Sequence, residues 1–191
     1  AQELDKTEVM RNILQTSELT DTITKIKVKL MQVKDIRGTA NRVTESQILD
    51  DIELFELKAF SLLAMEIREL LLSANITVVS LPDLEPVVNI LDPEKMRIPH
   101  FYVYELAALR AKMKTLKMDE KTEERVLDQL QFEHTELEDR IREKLSEQIH
   151  PYKKEINEAL VNTATLDILL AKAQQTIDMQ LCKPEISTST T

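Results

Sequence analysis

A chain of 191 residues with a single glycine cannot build many tight turns. A phosphate-cradling loop of the P-loop type needs at least two glycines, so Gly38 alone excludes nucleotide binding of that kind within these residues. There is no tryptophan, and the aromatic residues together make up 4% of the chain. The only cysteine, Cys182, cannot form an intrachain disulfide, and a lone thiol fits a reducing compartment such as the cytoplasm. No apolar stretch reaches the roughly 18–20 uninterrupted residues of a membrane span. The opening residues Ala1-Gln2-Glu3-Leu4-Asp5 also lack the charged-then-apolar order of a secretory leader. The expectation is a soluble, cytoplasmic protein with no membrane partner.

Positive charge is the minority sign. With 25 Lys and Arg against 34 Asp and Glu, the formal net charge is −9, which argues against autonomous, nonspecific binding to nucleic acid. The richest basic stretch is Lys25, Lys27, Lys29, Lys34, Arg37 and Arg42. Charges at 25, 27 and 29 spread around a helix, so the stretch reads as a solvated face rather than a DNA patch.

What the chain does have is helix-forming material: 42% hydrophobic and 31% charged residues, dominated by Leu, Glu, Lys, Ala and Ile. The fold class is all-α, with at most a minor extended or β segment near 97–104. Leu4, Val9, Ile13 and Leu14 predict a first helix ending near Gln15. Ser17 is a plausible cap for a second, which runs through Leu19, Ile23, Ile26 and Leu30 and continues past Ile36 until Gly38 interrupts it. Thr44 with Gln47 reads as a capping box for a long core helix carrying Ile48, Ile52, Phe55, Leu62, Ile67 and Leu70 as far as Ser73. Ile76 to Val79 is β-branched and reads as an extended candidate, short and without an obvious partner. Ser80 and Asp83 bracket the next start, with Pro82 inside the first turn, and a short helix Leu84 to Leu91 is predicted to follow; Asp92-Pro93 reads as a cap and first turn or a simple loop. Arg97 to Tyr104 is the only convincing extended segment, and helix resumes from Glu105 through Leu106, Leu109, Met113 and Leu116.

The principal feature follows, a glycine-free run of about sixty residues from Asp119 to Asp178. Val126, Leu130, Leu137, Ile141, Leu145, Ile149, Tyr152, Ile156, Leu160 and Ala164 recur at steps mostly of four, which predicts a nearly straight helix roughly 90 Å long. Pro151 removes an amide donor and clashes with the carbonyl of residue 147, so it must kink or divide this helix. The stripe keeps its phase across it at Ile149, Tyr152 and Ile156, which favours a kink over a turn. After Met179 the character changes: Lys183 to Ile186 reads as extended and Ser187 to Thr191 as a polar tail.

Catalytic chemistry is not legible in this material. His100, His134 and His150 are far apart and lack metal ligands at the right spacing. Glu120, Glu123 and Glu124, and Glu136, Glu138 and Asp139, lie on a charged helix face with Glu133 and His134, where ion pairs such as Glu138 with Arg142 serve solubility. Cys182 reads as an inert thiol, and Tyr102 and Tyr104 as packing residues. No catalytic, cofactor-binding or metal-binding residue is assigned, and the nucleic-acid-binding residues are unknown at this stage.

The segment LEDRIREKLSEQIHPYKKEINEALVNTATLDILLAKAQQTI, residues 137 to 177, resembles the returning lever helix of MutS-family proteins, where a leucine-aspartate pair and small residues close the helix before the ATPase domain. The matching residues are Leu160, Leu166, Asp167, Leu170, Ala171 and Ala173. VKDIRGTANRV with DIELFELKAFSLLAMEIREL is similar to the family's core segment, LAALRAKM to the element preceding its lever, and Cys182 to Ile186 to the approach to the ATPase domain. No β segment long enough for the DNA-gripping clamp lies between Leu116 and Asp178, so the resemblance is closest to branches lacking the usual clamp.

The resemblance implies a helical core at 1–117, a long lever helix at 118–179 and a tail at 180–191 leading to an ATPase domain outside these residues. It implies a non-catalytic fragment of a DNA mismatch repair or recombination-control ATPase. ATP and Mg would belong to the remaining domain, DNA would be engaged by the full-length parent, and that parent would be a homodimer. Asp167 with Ala164, Ala171 and Ala173 would allow close packing of the lever base on the core. The alternative from another class is an all-α coiled-coil scaffold or interaction module unrelated to DNA, which would self-associate through an exposed stripe.

Overall fold

The computed structural model describes residues 2–92 and 124–182, together with Ala111 and Lys114. Among these residues the protein is all-α, with no strand. The helices with described bounds are, in chain order, α1 (Gln2–Gln15), α2 (Thr20–Leu30), α3 (Arg37–Thr44), α4 (Asp51–Ser73), α5 (Glu85–Leu91), α6 (Glu124–Ile149) and α7 (Lys153–Asp178). Short 3-10 turns at Ser17–Leu19 and His150–Tyr152 lead into α2 and α7. The extended candidate at 97–104, the helix resumed at Glu105, the boundary drawn at 117/118, the start of the long run at Asp119 and the tail from Lys183 lie outside the described residues.

The helix boundaries show which local signals win. α2 ends at Leu30, and Gly38 is not its terminator but sits inside α3. Ser17 caps nothing, because α2 starts three residues later with Leu19 at the cap position and no side-chain cap bond. Nor do Thr44 and Gln47 open α4, since Thr44 is the last residue of α3. The capping box belongs to Asp50 and Glu53. The Asp50 carboxylate accepts from the Glu53 N–H at 2.8 Å, and the Glu53 carboxylate accepts from the Asp50 N–H at 2.9 Å.

With glycine so scarce, three helices end on residues that adopt the left-handed conformation without it: Ser46 (φ 58°), Asn75 (φ 53°) and Gln180 (φ 52°). Each end carries the paired bonds of a Schellman motif, as in Gln47 N–H to Arg42 O at 2.9 Å with Ser46 N–H to Val43 O at 3.2 Å. The same pattern closes α4 through Ile76 and Asn75, and α7 through Leu181 and Gln180. The one glycine is spent where none is needed. A Cβ at Gly38 would meet nothing within 4 Å. Gly38→Ala is therefore expected to stabilise the protein by about 0.5–1 kcal/mol, read as a rise in thermal midpoint of about 1–3 °C; an unchanged or lower midpoint would contradict it.

The chain divides into two compact units that it visits alternately. The first comprises Ala1–Lys34, Leu62–Leu84 and Glu155–Thr191. Its core joins Met10 of α1, Ile23, Ile26 and Leu30 of α2, Ile67 and Leu71 of α4, the apolar residues Ile76, Val79 and Leu81 that follow, and Leu166, Leu169, Leu170 and Ala173 of α7. Ile76 to Val79 thus packs as irregular chain rather than as a strand. The second unit comprises Asp35–Ser61 and Glu85–Lys154. Its buried residues include Ile36, Ala40 and Val43 around α3, Leu49, Leu54, Leu57 and Phe60 up to and along α4, Val87 and Leu91 of α5, and Leu130 and Ile149 of α6.

Several expected core residues turn out to be on the surface. Leu4, Val9, Ile48 and Ile52 are exposed, and Ile52 keeps 68% of its surface. In α7 the buried stripe is Ile156, Ala159, Thr163, Leu166, Leu170 and Ala173, with Leu169 beside it. Its steps of three and four are those of a heptad, not the steps of four expected there. This phase leaves Leu160 only half-buried and turns Ala164, Asp167 and Ala171 outward, so only Ala173 of the four residues expected at a packed lever base is buried.

Candidate functional site

The site with the most built-in geometry is the joint at Pro151, within the second unit. Ile149 is fully buried and in helical conformation (φ −80°, ψ −33°), and Lys153 resumes it at φ −56°, ψ −33°. Between them His150–Tyr152 tightens into a 3-10 turn with Pro151 as its middle residue, where no N–H is available for the carbonyl of residue 147, and Lys153 N–H bonds to His150 O. The helical backbone therefore passes through the proline as a local tightening, not as a loop.

Backbone and side-chain groups of α3, α4 and their connection hold this joint. His150 Nδ1 lies 2.9 Å from Val43 O, and the Ser46 Oγ lies 3.0 Å from His150 Nε2. A carbonyl can only accept, so the ring donates to Val43 O from Nδ1, and the Ser46 hydroxyl lies nearly as close to Nδ1, at 3.1 Å. One turn earlier, Ser146 Oγ accepts from Leu49 N–H at 2.9 Å and donates to Arg142 O at 2.7 Å. Arg142 then grips Asp51 with two parallel bonds, at 2.9 and 3.0 Å, and reaches Asp139 at 2.9 Å. The Asp51 hydrogen bonds come first among the causes that raise the Arg142 pKa above its ordinary value, so this guanidinium is a fixed charge. Together these bonds tie α6, from Arg142 to His150, to the connection that opens α4.

A second polar pair lies deeper in the same unit. Lys58 Nζ of α4 sits 3.0 Å from Asp92 Oδ2 at the end of α5, with both side chains at 8% exposure or less. No local pattern in the sequence marks the pairing.

The basic stretch is spoken for. Lys25 pairs with Asp21 at 2.6 Å, Lys27 reaches Gln174 at 3.2 Å and Lys29 pairs with Glu66. Arg37 pairs with Asp35 at 2.6 Å, and Arg42 with Glu53 at 3.1 Å while also donating to Ile48 O. Five of the six cations thus carry intramolecular partners. No protein-family model and no curated protein matches the chain. The reading of function consequently rests on the residues themselves.

Of the remaining candidates, His134 of α6 lies 3.5 Å from Glu138 one turn on, and His100, Tyr102, Tyr104, Glu120 and Glu123 lie outside the described residues. Among the described residues no group of three His, Cys, Asp or Glu is placed to hold a metal ion. Nor is any helix long and apolar enough to cross a membrane. Cys182 is exposed at the edge of a cavity of about 190 Å³ in the first unit, bounded also by Leu4, Thr7, Glu8, Arg11, Thr176 and Leu181. Sequence reasoning missed the contacts of the joint. One signal was available, the Asp50–Glu53 spacing, which places Asp51 at the first turn of α4; the Arg142–Asp51 and His150–Val43 contacts join residues too distant in sequence to be read locally.

One contact carries a pH prediction. Arg37 donates to the Asp35 carboxylate from its side chain and its backbone N–H, and these bonds lower the Asp35 pKa to about 2. An unfolded Asp titrates near about 3.9, so this contribution is complete above that pH and is lost as the pH falls through about 2. The pair is solvent-exposed, so the slope is shallow. Asp35→Asn should flatten the acid limb of a stability profile between about pH 4 and 2, and an identical limb in that variant would refute the assignment.

Proposed function

We propose that this chain is the core and lever region of a MutS-like DNA mismatch repair or recombination-control ATPase, and that its work is mechanical. The observation that carries the reading is the helical backbone that continues through Pro151 and is pinned on one side by His150, Ser146 and Arg142. A lever must transmit displacement without folding at its weakest point. A proline in mid-run is that point, and the joint spends a buried isoleucine and several hydrogen bonds on it. The likeness of residues 137–177 to the family's returning lever supplies the identity of the machine, and the lever supplies its role: coupling the state of an ATPase domain to DNA engagement. The chain itself is non-catalytic in this reading. ATP and Mg act in the parent's ATPase domain, DNA is held by the cytoplasmic, homodimeric parent, and the paired state of the basic stretch agrees with DNA contacts being made elsewhere.

The test is direct. The gene read past Thr191 should encode a GxxxxGK[ST] loop within roughly one further domain length, and the longer product should hydrolyse ATP in a DNA-dependent way while residues 1–191 alone do not. Hydrolysis by residues 1–191 at the rate of the longer product would sink the proposal, as would a gene without that loop.

A further inference from the structure

α7 carries two apolar stripes, and the core uses only one. Ala164 and Ile168 each stand about 160° around the helix from buried Leu166, and with Val161 and Ala171 they form a second stripe at steps of three, four and three. All four are exposed, Val161 at 62% and Ile168 at 51%. Asn157 and Gln175 continue the same spacing at either end and close the stripe with polar groups.

The order of sizes in this stripe is large, small, large, small. In a parallel pair of such helices each residue meets its own copy, so isoleucine crowds isoleucine and alanine leaves a gap at alanine. In an antiparallel pair about a two-fold axis at residue 166, Val161 meets Ala171 of the other copy and Ala164 meets Ile168. Large packs on small in every layer, and the polar ends Asn157 and Gln175 face each other. On one flank the same register sets Glu158 beside Lys172 of the other copy, twice by symmetry. Glu158 is exposed and has no ion-pair partner among the described residues. Lys172 is itself half-exposed and pairs with Glu3 of its own chain. On the other flank the two Asp167 carboxylates meet across the axis, an unfavourable contact that limits affinity.

We propose that two copies of this chain dock antiparallel through Val161, Ala164, Ile168 and Ala171 of α7. Three turns of helix bury less than the roughly 1,200 Å² of a standard interface, so the dimer is weak and concentration-dependent. Self-complementarity of size and charge is what selects a second copy over an unrelated helix.

The experiment is sedimentation equilibrium of the 191-residue chain from roughly 10 µM to 1 mM. Wild type should move from monomer towards dimer across this range. Lys172→Glu replaces two attractive contacts by two repulsive ones and should weaken association roughly tenfold. Glu158→Lys combined with Lys172→Glu should restore it, and Asp167→Asn should tighten it. These are surface changes, and circular dichroism verifies that each variant is folded. A wild-type chain that stays monomeric at the highest concentration overturns the proposal. So does a charge reversal that the second reversal fails to rescue, which would place the contact elsewhere on the chain.

Discussion

Lys58→Met is expected to destabilise the second unit by about 3–5 kcal/mol, although methionine fits the space and is more apolar than the lysine it replaces. The loss comes from what remains. Asp92 keeps its charge at a position with 8% exposure, and its partner 3.0 Å away has gone. Asp92→Asn, which leaves the lysine charged and buried, should cost a comparable amount. The double variant Lys58→Met with Asp92→Asn should recover most of the loss, because it removes both buried charges while the asparagine keeps hydrogen-bonding capacity. Urea denaturation reads the result as a fall of about 1–2 M in midpoint for each single variant and a partial return for the double. Additive losses in the double variant would show that the two groups are stabilised independently.

This pair also marks how far the sequence could be read. Helix extent was legible where periodicity and a terminator coincided: the ends of α1 at Gln15, α4 at Ser73 and α5 at Leu91 were expected and are observed. The burying face was less legible, because periodicity reports that a stripe exists and not which of two stripes meets the core. α7 shows why. Leu160 and Ala164 have acceptable helical spacing, yet the stripe through Ala159, Thr163 and Leu166 is the one that packs. α1 repeats the point, with Met10 fully buried while Leu4 and Val9 face outward. At the start of α4, Thr44–Gln47 was the box expected, yet Asp50–Glu53, six residues further on with the same internal spacing, is the one that forms. Lys58–Asp92 and Arg142–Asp51 depend on chain segments brought together by folding, and no local pattern encodes them.

Ile149→Ala is expected to cost about 2–5 kcal/mol, and Pro151→Ala less than about 1 kcal/mol, even though the proline is the conspicuous residue of the joint. Ile149 is fully buried directly before the 3-10 turn, so its truncation leaves a cavity. Pro151 is exposed and sits in the 3-10 turn, whose backbone already departs from the α-helical bonding that a proline would interrupt. Alanine there loosens the unfolded chain slightly and adds a helix-forming residue, two effects of opposite sign. The contrast separates packing from backbone rigidity as the source of the joint's stiffness. Hydrogen exchange at amides 149–154 should accelerate in Ile149→Ala and stay nearly unchanged in Pro151→Ala. In the longer parent, the isoleucine variant should weaken the response of ATP hydrolysis to DNA while basal hydrolysis persists. If instead Pro151→Ala were the damaging change, the proline itself would set the joint, and the contacts of His150 and Ser146 would be secondary to it.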